Sequence, residues 1–286
     1  MEDIIRVENL SYSYDGKPAV DRISFSIKRG EILGFLGPNG AGKTTTLKLL
    51  SGLLPLQEGK IFMLGIDISR NRKECQAKIG VTFEEKNLYE DMTAEENLKF
   101  FAALFGKRKL DPRPLLERVG LKPGNKNRVQ TYSKGMKQRL MIARALVNDP
   151  EILLLDEPTD GLDPISARAI REVILTEKRR GVSVFLTTHD MMEADILSDR
   201  VAFINEGRIV ALDTPDNLKH KYGKRIVKVR YFKEGELTEE DLSLEEKETP
   251  RRIESIMRTY GVFDMHTEEA TLEDIFIRFT GRRLEG

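Results

Sequence analysis

Short apolar runs at residues 31–35, 79–83, 152–155 and 182–187 stand between segments whose apolar positions recur three and four apart. Runs of that length predict strands buried on both faces, and their alternation with helical periodicity predicts an α/β fold with a mostly parallel sheet. Residues 4–13 and 19–27 alternate apolar with polar instead, on either side of Asp15, Gly16, Lys17 and Pro18. They predict an antiparallel β flank joined by a turn. Between residues 88 and 147 helical spacing dominates, with Leu98, Phe101, Ala102 and Phe105 on one face, so a helical subdomain is expected inside the α/β core. Composition changes after Tyr222 and Gly223: residues 234–248 carry eight acids against one lysine, and 253–260 and 271–279 again show helical spacing. We expect a main domain over residues 1–225 and a small α+β domain over 226–286, with the acidic stretch as a solvated loop and helix face.

Composition narrows the classes. With 286 residues, 40% hydrophobic and 33% charged, the chain can bury a large core. Its 47 basic and 47 acidic residues cancel, so no whole-chain attraction to nucleic acid is expected and no nucleic acid partner is assigned. No apolar run approaches the roughly 20 residues a membrane-spanning helix needs, and the first ten residues are not a basic-then-apolar leader, which suggests a cytosolic, unprocessed chain. One cysteine and three histidines exclude a disulfide framework and a cysteine zinc site. Cys75 reads as a packing residue, and His220 and His266 as surface residues.

Gly37, Pro38, Asn39, Gly40, Ala41, Gly42, Lys43 and Thr44 satisfy G-x-x-x-x-G-K-[ST] between an expected strand and a helical pattern that opens at Thr45. Such a loop turns successive backbone N–H groups toward an anion at a helix N-terminus. Lys43 would reach the β and γ phosphates, and Thr44 would ligate Mg2+. A nucleoside triphosphate site follows, its binding set running from Gly37 to Thr45. Far downstream, the apolar run 152–155 ends on Asp156 and Glu157. At the end of a buried strand, Asp156 would hold the magnesium shell and Glu157 would polarise a water for in-line attack.

Residues 132–139, with Tyr132, Ser133, Lys134, Gly135 and Met136 opening a helix, resemble the signature of ATP-binding-cassette (ABC) ATPases, whose usual core is Leu-Ser-Gly-Gly-Gln. Ser133 and Gly135 match that core; Tyr132, Lys134 and Met136 depart from it. The resemblance spans residues 1 to about 222 and implies a P-loop NTPase cassette with a RecA-like sheet, using ATP and Mg2+. It implies that Ser133 and Gly135 contact the γ-phosphate held by a second subunit, that Tyr14 stacks on adenine with Tyr12 as the rival, and that Asp163 lies in the loop through which two cassettes communicate. Glu84 stands where most members carry a glutamine touching magnesium and the attacking water. His189 matches the switch histidine that contacts the γ-phosphate and orients Glu157. One copy of each element is present, so two cassettes must pair head-to-tail, the second being a copy of this chain or a paralogue. The Tyr-Ser-Lys-Gly-Met signature, residues 188–195 and residues 271–276 are similar to type-2 exporter ATPases, which implies a separate membrane permease and a peripheral place on the cytoplasmic face. The rival reading is a soluble cassette acting on ribosomes or DNA. Such members carry two cassettes in one chain or long coiled coils, and neither pattern is present in this sequence.

Overall fold

A computed structural model describes residues 2–84, 87–223 and 226–281. Along the chain run β1 (Asp3–Tyr14), β2 (Lys17–Lys28), β3 (Ile32–Leu36), α1 (Lys43–Leu50), β4 (Glu58–Met63), β5 (Ile66–Asp67), α2 (Arg72–Gln76), β6 (Ile79–Thr82), α3 (Ala94–Leu104) and α4 (Arg113–Arg118). A 3-10 turn at Val129–Thr131 follows, then α5 (Lys134–Ala145), β7 (Ile152–Asp156), α6 (Pro164–Arg179), β8 (Ser183–Thr188), α7 (Met191–Leu197), β9 (Arg200–Asn205) and β10 (Arg208–Asp213). These form one compact unit. A second begins at Thr214 and holds α8 (Pro215–Tyr222), β11 (Ile226–Lys233), β12 (Glu236–Ser243), α9 (Thr249–Thr259), β13 (Asp264–Glu268) and α10 (Leu272–Thr280).

The first unit is built on a six-stranded sheet in the order β10-β9-β3-β8-β7-β6, parallel except where β10 turns back along β9. Every residue of β3, β7 and β8 is buried, as their short, mostly apolar runs predict. The antiparallel sheet β2-β1-β4-β5 alternates buried and exposed positions along β1. Its first hairpin turns on Asp15 and Gly16 alone, at φ +47° and +79°, the pair of positive angles a two-residue turn matched to strand twist requires. Lys17 and Pro18, expected in the turn, already belong to β2.

The two sheets share a core in which Phe25, Phe35 and Phe185 meet with ring centroids 5.2–5.9 Å apart. Phe185 is fully buried, so Phe185→Ala should cost about 3–5 kcal/mol through lost transfer energy plus a cavity. An unchanged urea midpoint would show that this aromatic cluster does not hold the sheets together.

The helical subdomain enters between β6 and β7, which pair directly with each other. Its helix α3 starts on a capping box, with Thr93 and Glu96 each satisfying the other's backbone N–H. The expected apolar face divides: Leu98 and Ala102 are buried, while Phe101 is half-buried and Phe105, one residue beyond α3, is 46% exposed.

In the second unit, Val227, Val229 and Tyr231 on one face of β11 pack against Ile256 of α9. The acidic stretch, expected as a loop and helix face, forms β12. The correction has a physical cause, because its register lines Glu239 and Asp241 up against the basic residues Arg230 and Lys228, and Lys228 Nζ lies 3.9 Å from Glu239. Glu240, facing the other way, takes a bidentate contact from Arg252 at 2.7 Å. The units divide after Asp213, ahead of the expected 225/226 boundary. Helix α8 packs on α10: the Tyr222 and Phe279 rings lie 4.8 Å apart, and Arg278 donates to the Tyr222 carbonyl. Lys224 and Arg225, at that expected boundary, lie outside the described residues, as do 282–286.

Candidate functional site

The loop from β3 into α1 lies against the β1–β2 hairpin. Gly42 caps α1 at φ +108°, a left-handed angle that disfavours any side chain, and a Cβ there would sit 2.4 Å from the Ala19 carbonyl oxygen. Glycine at this position lets backbone and hairpin meet while the first N–H groups of α1 face outward. Lys43 is buried, its Nζ donating to the carbonyls of Gly37 at 2.7 Å and Pro38 at 3.3 Å.

Across the loop, at the carboxyl end of β7, Glu157 Oε1 lies 3.1 Å from Lys43 Nζ, with the two side chains only 9% and 6% exposed. Glu157 adopts φ +46°, which costs a non-glycine residue about 1–3 kcal/mol and persists because neighbours hold it. Its N–H donates to the Thr187 carbonyl at 3.0 Å. Its Oε2 accepts the His189 backbone N–H at 3.2 Å and lies 3.0 Å from His189 Nδ1. Strand β8 therefore delivers His189 to Glu157.

Beneath them Asp156 is 1% exposed. Its Oδ1 accepts from the hydroxyls of Thr44, at 3.2 Å, and Thr187. Its Oδ2 is buried without a partner, as is Oγ1 of Thr82 at the end of the adjacent β6. Orphaned buried oxygens cost about 1–3 kcal/mol each, so a carboxylate oxygen left over beside a threonine hydroxyl suits a hard divalent cation.

A cleft of about 330 Å³ brings together Lys43, Glu157 and His189, lined by residues of the loop from Pro38 to Thr45 together with Ala19, Glu84, Glu157, Asp160 and His189. Ala41 is buried behind it, its N–H donating to the Pro38 carbonyl at 3.2 Å. An anion-binding loop, a buried lysine and a carboxylate held by a histidine on one cleft, with the Asp156 carboxylate bonded to Thr44 of that loop, are the parts phosphoryl transfer uses.

Residues 20–160 match the ABC transporter family. A fluoroquinolones export ATP-binding protein of Mycobacterium tuberculosis is 45% identical over 285 residues, covering 99% of this chain and 95% of that protein. The chain belongs to the ABC transporter ATPases. Nod factor export ATP-binding protein I of Burkholderia orbicola is 37% identical, over 98% of each chain. Among solved structures, a dimeric ATP-binding cassette in a post-hydrolysis state with ADP and Pi is 26% identical at a TM-score of 0.66, covering 73% of this chain and 98% of that one. The cassette is an ATPase of this family.

Other expected site residues of the cassette lie off the cleft. Ser133 N-caps α5 and is exposed, accepting from the Met136 N–H at 3.2 Å. Gly135 packs so closely that a Cβ would fall 2.4 Å from Ser166 Oγ. Asp163 is exposed and N-caps α6, and its hydrogen bonds, the one from the Ser166 side chain foremost, hold its carboxyl below the ordinary aspartate range. Tyr14 is 43% exposed at the end of β1, whereas its rival Tyr12 is 8% exposed with its ring edge against Tyr14. Neither tyrosine lines the cleft. Glu84 does, while its neighbours Glu85 and Lys86 lie outside the described residues. Sequence reasoning missed Thr82, Asp160 and Thr187; only the threonine pair before His189, at a strand's carboxyl end, carried a signal.

Proposed function

We propose that this chain is the ATP-hydrolysing subunit of an exporter, acting as a head-to-tail pair on a separate membrane permease. The carrying observation is the split in the site. Lys43, Glu157 and His189 share one cleft, while Ser133 at the N-terminus of α5 is exposed and does not line it. A signature at a helix N-terminus suits a phosphate bound by another cassette, and this arrangement supports pairing with a second copy or a paralogue.

In this reading Lys43 exchanges its loop carbonyls for the β and γ phosphates, and the outward N–H groups at α1 cradle them. A Glu157 carboxylate oxygen accepts a proton from a water whose own oxygen attacks the γ-phosphorus, while the bond from that phosphorus to the β-phosphate oxygen breaks and leaves ADP and inorganic phosphate. His189 keeps Glu157 aimed through Nδ1 and its backbone N–H. Thr44, Asp156 and Glu84 would hold Mg2+, which supplies charge neutralisation on the phosphate oxygens. Tyr14, more exposed than Tyr12, offers the adenine a stacking face. Ser133, Gly135 and Asp163 act toward the partner's nucleotide.

Among the described residues no helix is long and apolar enough to cross a membrane. Beside the Glu84 loop lies an apolar groove of about 770 Å³, lined by Val81, Leu88, Tyr89, Phe101, Phe105 and Arg144, which supports docking of a permease helix and a peripheral place on the cytoplasmic face. The relatives' names give two unlike cargoes, fluoroquinolones and a Nod factor, which fits cargo choice in the permease.

The test is recovery of the tagged chain from native membranes in mild detergent. A multi-span protein should co-purify with two cassettes. Recovery with ribosomes or DNA alone would replace this reading with the soluble one.

A further inference from the structure

Among the described residues, one charged side chain lines the groove beside the Glu84 loop. Arg144, in the last turn of α5, is half-buried, its guanidinium carbon 4.8 Å from the centre of the Phe101 ring. Its Nη1 donates to the Asn87 carbonyl at 2.5 Å. A guanidinium is a fork of several N–H donors, and among the described residues the others meet neither a hydrogen-bond acceptor nor a carboxylate. None of its unpartnered nitrogens is enclosed, so those donors open onto the groove. The wall around them is built in advance. Asn97, fully buried, accepts from the Tyr89 N–H and donates to the Tyr89 carbonyl, both at 2.9 Å, so residues 87–89 are held at both ends.

Any segment that covers the apolar walls of Val81, Leu88, Phe101 and Phe105 also strips water from Arg144. The Asn87 carbonyl, the Phe101 face and the carboxyl end of α5 offer it partial charges only. Burial already works against its charged form. A wholly apolar occupant would therefore strand a cation, whereas a carboxylate meets the guanidinium fork in a bidentate pair. Glu84 does not supply that carboxylate from within the groove, since it lines the nucleotide cleft instead.

We infer that the permease segment seated in this groove carries an aspartate or glutamate among its apolar residues, and that this carboxylate pairs with Arg144. This rests on the permease docking proposed above. The apolar residues supply contact area, and the ion pair fixes the segment's register in the groove. A segment that places a neutral or basic residue at that point leaves Arg144 unpaired and is rejected, so Arg144 selects which permease the cassette accepts.

The experiment takes the complex recovered from native membranes, formed with the full chain carrying Arg144→Lys, and treats it with a water-soluble carbodiimide. That reagent joins a carboxylate to an amine in contact with it as an amide. Mass spectrometry should find the substituted amine linked to an aspartate or glutamate in a cytoplasmic segment of the multi-span protein. Linkage only to Glu84 or Glu85 of the same chain, or none in an intact complex, overturns the inference. Arg144→Gln should weaken the complex about 30–1000-fold, and an unweakened complex is equally fatal. Exchanging the charges, Arg144→Glu against an arginine at the linked acid, should bring affinity back to within about tenfold, which a merely structural Arg144 would not allow. Should Arg144→Lys fail to fold, the unsubstituted complex decides. An acid of the permease segment must then resist carbodiimide labelling with glycinamide while the cassettes are bound and take the label once they are stripped; if no acid behaves so, the inference falls. If no multi-span protein is recovered at all, the exporter reading itself has failed; if one is recovered without the link, only the carboxylate has.

Discussion

Glu157→Gln should bind ATP and turn it over about 10²–10⁴-fold more slowly, the range that a positioned general base contributes. The amide keeps the shape of the carboxylate and can still accept from the His189 N–H, now at 3.2 Å from Oε2. It cannot take a proton from water. Binding survives because Lys43 keeps the Gly37 and Pro38 carbonyls as its resting partners and remains free to move to phosphate. Nucleotide that binds but is not cut should hold two chains together, and light scattering should find a dimer with ATP and monomers with ADP. A variant that hydrolyses at the unsubstituted rate would remove Glu157 from the base role, and one that stays monomeric with ATP would remove the nucleotide from the interface.

Lys43→Met should weaken ATP affinity by about 10–100-fold, the value of the charged hydrogen bonds it gives up. It should also destabilise the protein without ligand by about 3–5 kcal/mol, because Glu157 is left as a buried charge without its cation. That cost belongs to the pair. An exposed pair such as Arg6 and Glu8, with side chains 52% and 42% accessible, is worth only about 0–1 kcal/mol. Combining Lys43→Met with Glu157→Gln should recover most of the lost stability, since no charge is then stranded. Urea midpoints of the four proteins measure this directly. Additive losses in the double variant would mean that Lys43 and Glu157 do not act on each other in the folded chain.

Legibility in this chain follows sequence distance. The loop 37–44 and the pair Asp156 and Glu157 each lie within a few residues of a strand end, so the loop's spacing, and the pair's position given that loop, marked them as candidates. Strands β3, β7 and β8 were readable because both faces are buried and each carries a short, mostly apolar run. Strand β12 was not, because the basic residues its acids line up against, Arg230 and Lys228, lie on another strand. Phe105 resembled a core residue by periodicity and faces a groove, since the face it shares with Leu98 is wider than the core beneath it. Thr187 is placed by a hydroxyl contact with Asp156, far along the chain, and a polar residue gives no local sign of such a contact. Ser133 and Gly135 were legible only by resemblance, because the group they are proposed to meet lies outside their own chain.

The strand order has a consequence during synthesis. Strand β3, the middle of the sheet that carries the phosphate loop, pairs with β8 and β9, so Ile32 waits for Val184 and Leu33 for Arg200. A nascent chain that has released the N-terminal antiparallel sheet and the helical subdomain still holds β3 with both edges bare, and long-range parallel pairing is slow to form. Chains stalled or clipped before β9 emerge with an apolar template open to other chains, and are the ones a cell's chaperones would need to shield.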